Sequence, residues 1–145
     1  MRLSALNRLT EENIPTVVRI DPIIPTLNSD RQDLENIVSK AAEAGVKQVT
    51  ASTLKPIRGF FQSLRKAHPA LFETLKRAYA DGEWLSGYKY LERKRRLGIL
   101  EQVRSISLSY GLEFATCREG FPELNTTICD GTAYCRRRLI ENHLG

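Results

Sequence analysis

Three segments rich in β-branched residues, separated by stretches of helical patterning, restrict this chain to an alternating α/β fold. The candidate strands are Pro15-Thr16-Val17-Val18-Arg19-Ile20, Val46 to Thr53, and Leu112-Glu113-Phe114-Ala115-Thr116-Cys117. The first is nearly continuous in apolar character, as expected of a parallel strand covered on both faces, and should end at Asp21-Pro22. In the second, Val49 and Ala51 share one side.

The intervening pieces read as helices. Leu3, Leu6 and Leu9 give a short helix from Arg2 to Glu12, with Asn13 as its stop. After the loop Ile23 to Asn28, Ser29 and Gln32 form a capping box, Leu34, Ile37, Val38 and Ala41 form one stripe, and Gly45 ends the helix. Phe60, Phe61, Leu64 and Ala67 mark a helix that Pro69 ends while opening another with Phe72, Leu75 and Tyr79, which stops at Gly82. A longer helix runs from about Leu91 to Ser109, carries Ile99, Leu100, Val103 and Ile106, and closes at Gly111. Strands linked through helices make right-handed parallel crossovers, so the three strands lie side by side in chain order. Three parallel strands leave unpaired edges, so the chain is expected to be part of something larger or to form a homo-oligomer.

With 145 residues and 41% hydrophobic content, one folded domain is the expectation. No apolar run approaches the roughly 18 residues a membrane span needs, and no signal-peptide pattern opens the chain, which points to a cytoplasmic protein with no membrane partner. The three cysteines lie in the last third and suggest reduced thiols rather than a disulfide framework. A net charge of +5 falls short of a dedicated nucleic-acid binder. Its local sources are Arg93-Lys94-Arg95-Arg96 and Arg136-Arg137-Arg138, each either a solvated face or a polyanion contact.

In parallel α/β folds, ligands bind beyond the carboxyl ends of the strands. Here those ends carry Arg19, Asp21 and Asn28; Ser52, Thr53 and Lys55; and Cys117, Arg118 and Glu119. Arg19 and Asp21 alternate with apolar neighbours and share a side, as an internal support pair or with the arginine fork on a ligand carboxylate or phosphate. Asn28 suits loop or cap chemistry as well as a ligand. Ser52, Thr53 and Lys55 supply hydroxyls and a cation suited to an anion, although GxxxxGK[ST] and GxGxxG are absent. Cys117, Cys129 and Cys135 could ligate a metal with Asp130 or His143 as fourth ligand, or remain free thiols, since a tight CxxC pair is missing. His68, beside Pro69, reads as a surface residue.

The run from Ile14 to Asn28, containing RxDPxxPxxN, is followed by a strand ending in Ser-Thr-Leu, by Gly87-Tyr88-x-Tyr90, by Thr116-Cys117-Arg118-Glu119-Gly120 and by Cys129-Asp130-Gly131. In this order, over most of the chain, the elements resemble the C-terminal half of radical S-adenosylmethionine proteins of the spore photoproduct lyase-like, or DNA repair photolyase, group. The resemblance implies a partial (half) TIM-type barrel over 1–117 with a Cys-containing tail, 118–145, packing on its mouth or partly disordered. It implies Cys117 as a catalytic thiol near substrate; Arg19, Asp21, Asn28, Ser52 and Lys55 on the cofactor side; and Tyr88, Tyr90, Arg118 and Glu119 on the substrate side.

Members of the group hold a four-iron cluster on a CxxxCxxC loop in the N-terminal half, and the cluster supplies the electron that cleaves S-adenosylmethionine. CxxxCxxC is absent here. The chain alone is therefore expected to bind neither cofactor and to be inactive, working with an N-terminal half or partner subunit as part of a lyase or DNA repair enzyme. Two other readings compete with this one. The first is a non-catalytic nucleic-acid-binding module using Arg93, Lys94, Arg95 and Arg96. The second is a small thiolate metal-binding domain built on Cys117, Cys129 and Cys135.

Overall fold

The computed structural model describes residues 2–135. Its element order is α1 (Arg2–Glu11), β1 (Val17–Ile23), α2 (Arg31–Glu43), β2 (Gln48–Thr53), α3 (Phe60–Ala67), α4 (Pro69–Ala78), β3 (Glu83–Leu85), β4 (Tyr88–Tyr90), α5 (Arg93–Ser109) and β5 (Glu113–Thr116), followed by a short 3₁₀ turn at Pro122–Leu124. The main sheet is three-stranded and parallel, in the order β1-β2-β5. Among the described residues, no helix is long and apolar enough to cross a membrane.

The sheet has two unlike faces. Val18, Ile20, Val49, Ala51 and Phe114 meet Leu34 and Val38 of α2 and Leu100, Val103 and Ile106 of α5 in the main core. The cross-strand register Arg19↔Thr50↔Ala115 places the opposite set on the other face, where β2 contributes Gln48, Thr50 and Ser52. All six residues of β2 are buried nonetheless, because residues beyond β5 cover the polar side. Gln48 Nε2 donates to the Ile128 carbonyl at 2.9 Å, and Thr50 Oγ1 donates to that of Cys129 at 3.0 Å.

The two edges are treated differently. Beside β5, the Phe114 amide donates to Thr126 Oγ1, the Thr126 amide to the Phe114 carbonyl, and the Thr116 amide to Asn125 Oδ1, so side chains and main chain cap that edge. The outer edge of β1 pairs with no described strand. It borders a groove of about 620 Å³ lined by Leu3 and Leu6 of α1, Val18, Ile20 and Ile37.

Several local readings change. β1 continues past Asp21 to Ile23 through a cis Asp21-Pro22 bond, with a register irregularity between Ile20 and Ile23 that accommodates a residue lacking an N–H. The cap of α2 is Asp30, whose carboxylate accepts the Gln32 amide at 2.8 Å; Ser29 instead accepts the Thr26 amide at 3.1 Å. The hairpin β3–β4 escaped the sequence reading, although Ser86-Gly87, with φ of 49° and 86°, is a turn pair suited to joining two short strands. The tail from Arg118 to Cys135 packs on the sheet, with Phe121 and Leu124 buried, while Arg136, Arg137, Arg138 and His143 lie outside the described residues.

Asp30→Ala should cost about 1 kcal/mol through loss of the α2 cap. Leu100→Ala should cost about 2–5 kcal/mol, since Leu100 is fully buried where α5 meets the sheet. Urea unfolding of the two variants checks that order.

Candidate functional site

The carboxyl ends of all three parallel strands open on one cleft of about 380 Å³, lined by Arg19, Asp21, Pro22, Ser52, Thr53, Leu54, Lys55, Tyr88, Cys117 and Arg118. β1 delivers Arg19 and Asp21 on its polar side. The end of β2 delivers Ser52, Thr53 and Lys55, and the residues after β5 deliver Cys117 and Arg118. Arg118 has φ of 57°, a left-handed conformation uncommon for a side chain of its size.

Beneath the cleft lies a buried charge network. Glu119 is buried, and its carboxylate accepts the Thr53 amide at 2.7 Å, the Ser52 hydroxyl at 3.1 Å and the Thr53 hydroxyl at 3.2 Å. The Lys55 ammonium donates to Glu119 Oε1 at 2.5 Å, to Ser52 Oγ at 2.6 Å and to the Thr53 carbonyl at 3.3 Å, which uses its three protons. Arg96 Nε stands 3.4 Å from Glu119 Oε2, and a second Arg96 nitrogen donates to the Leu91 carbonyl at 3.1 Å. The Arg96 guanidinium also lies over the rings of Tyr90, at 4.9 Å, and Phe121, at 5.4 Å. Glu119 thus faces two cations, and Arg96 also stands 4.0 Å from Glu83, while its buried Nε makes no hydrogen bond.

This network reassigns several residues. Glu119, read as a substrate contact, is turned inward and saturated by β2 and the two cations. Tyr90, read the same way, lies against Arg96 and 5.6 Å from the Lys55 ammonium, outside the cleft lining. Asn28 does not join the cleft either: its Oδ1 accepts the Ile24 amide at 2.6 Å and its Nδ2 donates to the Pro22 carbonyl at 3.3 Å, clasping the loop after β1. Ser52 and Lys55 line the cleft, but their polar atoms serve Glu119.

The groups left facing the opening are Arg19, Asp21, Tyr88, Cys117 and Arg118. Arg19 pairs with Asp21 at 2.9 Å while both side chains stay partly exposed, at 44% and 35%. Hydrogen bonds to Cys117 first and Asp21 second raise Arg19 above its ordinary pKa, and a hydrogen bond to Tyr88 does the same for Arg118. The Arg118 guanidinium lies 5.0 Å from the Tyr88 ring centre. Two fixed guanidinium groups, a carboxylate, a phenol and a thiol suit a small zwitterion or anion.

The basic run at the start of α5 divides. Arg96 is 3% exposed and belongs to the Glu119 network, which removes it from any nucleic-acid surface. Its place was legible, because Arg96, Leu100, Val103 and Ser107 fall on one helical stripe and are all buried. Arg93, Lys94 and Arg95 are exposed, but Arg93 stacks 4.4 Å over Phe121 and Arg95 reaches the Ala78 carbonyl at 3.4 Å. Glu92 caps the helix by accepting the amides of Lys94 and Arg95, each at 2.9 Å. Of the thiols, Cys117 and Cys129 are half-buried over the same stretch of sheet and Cys135 is exposed. Among the described residues, no three Cys, His, Asp or Glu side chains converge as metal ligands.

Glu119→Ala should destabilise the fold by about 3–5 kcal/mol, because it leaves Lys55 without its counter-charge and the buried Arg96 with only Glu83, 4.0 Å away; chemical denaturation reads this directly. The amides of Lys94 and Arg95 hold the Glu92 carboxyl below its ordinary value of 4.5. A depressed folded pKa stabilises fully above the unfolded value and ceases to do so as pH falls through the folded one. Wild type and Glu92→Gln should therefore differ in thermal midpoint at neutral pH and converge in acid. Comparison of the chain with protein-family models, curated proteins and solved structures gives no match, which leaves the geometry of the cleft and the resemblance in sequence as the grounds for a functional reading.

Proposed function

We propose that this chain is the C-terminal, substrate-side portion of a radical S-adenosylmethionine enzyme related to spore photoproduct lyase, forming part of a TIM-type barrel completed by a cluster-bearing partner. The observation that carries this reading is the polar face of the parallel sheet. Arg19, Thr50, Ser52 and Cys117 lie on that face, as side chains lining a barrel interior would; α2 and α5 pack on the other face, and residues 128–129 cover the polar face at β2. The open outer edge of β1 supports it further, since a barrel half must offer an unpaired strand to the other half, whereas the β5 edge is already capped.

The cleft residues fit the amino-acid end of S-adenosylmethionine, which presents one carboxylate and one ammonium. Arg19 offers the carboxylate a guanidinium fork, and Asp21 beside it offers the ammonium a counter-charge. Arg118 and Tyr88 hold the opposite rim for substrate, and Cys117 places a sulfur in the same cleft. We assign the four-iron cluster to the partner, since CxxxCxxC is absent from this sequence and, among the described residues, no three Cys, His, Asp or Glu side chains converge. When bound, that cluster supplies the electron for cofactor cleavage. This chain binds, orients and excludes water.

The nucleic-acid reading is weaker, because Arg96 is withdrawn into the interior and Arg93 and Arg95 already have partners. Anaerobic isolation of the tagged chain from its native cell tests the proposal. The expected result is a stoichiometric partner carrying CxxxCxxC, a four-iron absorbance, and retention of S-adenosylmethionine that falls roughly tenfold or more in Arg19→Ala, the loss expected for a charge-assisted bond. Isolation of the chain with neither iron–sulfur partner nor cofactor retention would overturn it.

A further inference from the structure

The rim of the cleft holds two thiols from parts of the chain that meet only through folding. Cys117 follows β5 on the polar face, two residues beyond Ala115, and its amide is held by the Ala51 carbonyl at 3.1 Å. Ala115 pairs with Thr50, and Thr50 Oγ1 donates to the Cys129 carbonyl at 3.0 Å, which pins Cys129 over the same stretch of sheet. With Cys117 held at Ala51 and Cys129 at the adjoining Thr50, the two thiols are close enough for each to feel the other's charge. Cys117 lines the cleft beside Arg19. Both are free and partly exposed, whereas Cys135 takes no part. Burial, then Cys117, raises the Cys129 thiol above its ordinary pKa.

We propose that Cys117 and Cys129 form a thiol–disulfide exchange pair at the cleft mouth, with small-molecule disulfides as the oxidising substrate. The Cys117 sulfur, facing the opening, attacks one sulfur of the disulfide and releases the other half as a thiol, which carries away the Cys117 proton. The Cys129 sulfur then attacks the Cys117 sulfur of the mixed disulfide. The second half leaves as a thiol with the Cys129 proton, so two protein thiols have been oxidised to one disulfide and one external disulfide reduced to two thiols. Oxidation removes the Cys117 thiol from the cleft and ties the segment over the polar face of β2 to the end of β5. This pair does not depend on which ligand the cleft takes.

The test uses the full chain in buffers of graded reduced and oxidised glutathione, with free thiols then blocked and the protein read by intact mass and peptide mapping. The expected product is a Cys117–Cys129 link with Cys135 still available to the blocking reagent, and the same link in Cys135→Ser. In Cys129→Ser, a glutathione adduct should persist on Cys117 at roughly tenfold the wild-type level, because the resolving thiol is gone. A wild-type chain that forms no internal disulfide across the series, or one whose disulfide uses Cys135, would overturn the proposal.

Discussion

The Glu119 carboxylate, enclosed between Lys55 and Arg96 at the end of β2, is the interaction on which the site depends. A carboxylate out of water is costly unless hydrogen bonds and counter-charge replace its hydration. Here the main chain at Thr53, two hydroxyls, an ammonium and a guanidinium do so. Because those groups come from β2, from the residues after it and from α5, their joint demand brings three distant parts of the chain to one place. The loop after β5 is thereby drawn across the sheet end, which sets Cys117 and Arg118 on the rim.

The same network explains the hairpin and the start of α5. Tyr90 on β4 and Phe121 after β5 present rings to Arg96, so a guanidinium that lacks water finds π faces instead. The Tyr79 hydroxyl donates to the Leu54 carbonyl, binding α4 to the segment after β2, and burial keeps that phenol protonated. Hydrophobic packing assembles the layers, while these polar contacts decide how the strand ends are arranged.

Much of the architecture is written in periodicity. Val18 and Ile20, the pair Val49 and Ala51, and Phe114 identify the parallel strands by alternation, because one face of the sheet meets the core while the other carries polar residues; the expectation that β1 is covered on both faces did not hold, since Arg19 and Asp21 are exposed. Long-range pairing is less legible. Nothing local to Glu119 says that it faces inward rather than toward a ligand, and Lys55 looks like an available cation until Glu119 is placed against it. Asn28 is different, since its partners at Pro22 and Ile24 are close in sequence and a loop-clasping role was a local alternative from the start. Ser86-Gly87 announced a turn, yet three-residue strands are too short for alternation to reveal them.

The cover over the polar face of β2 is held through the carbonyls of Ile128 and Cys129, which every amino acid except its side chain supplies equally. Substitution along that stretch can therefore alter its chemistry while leaving its attachment intact. Evolution has at that point a surface where side chains can be exchanged without loosening the lid, in contrast to Glu119, where no other residue type offers the same charge and reach.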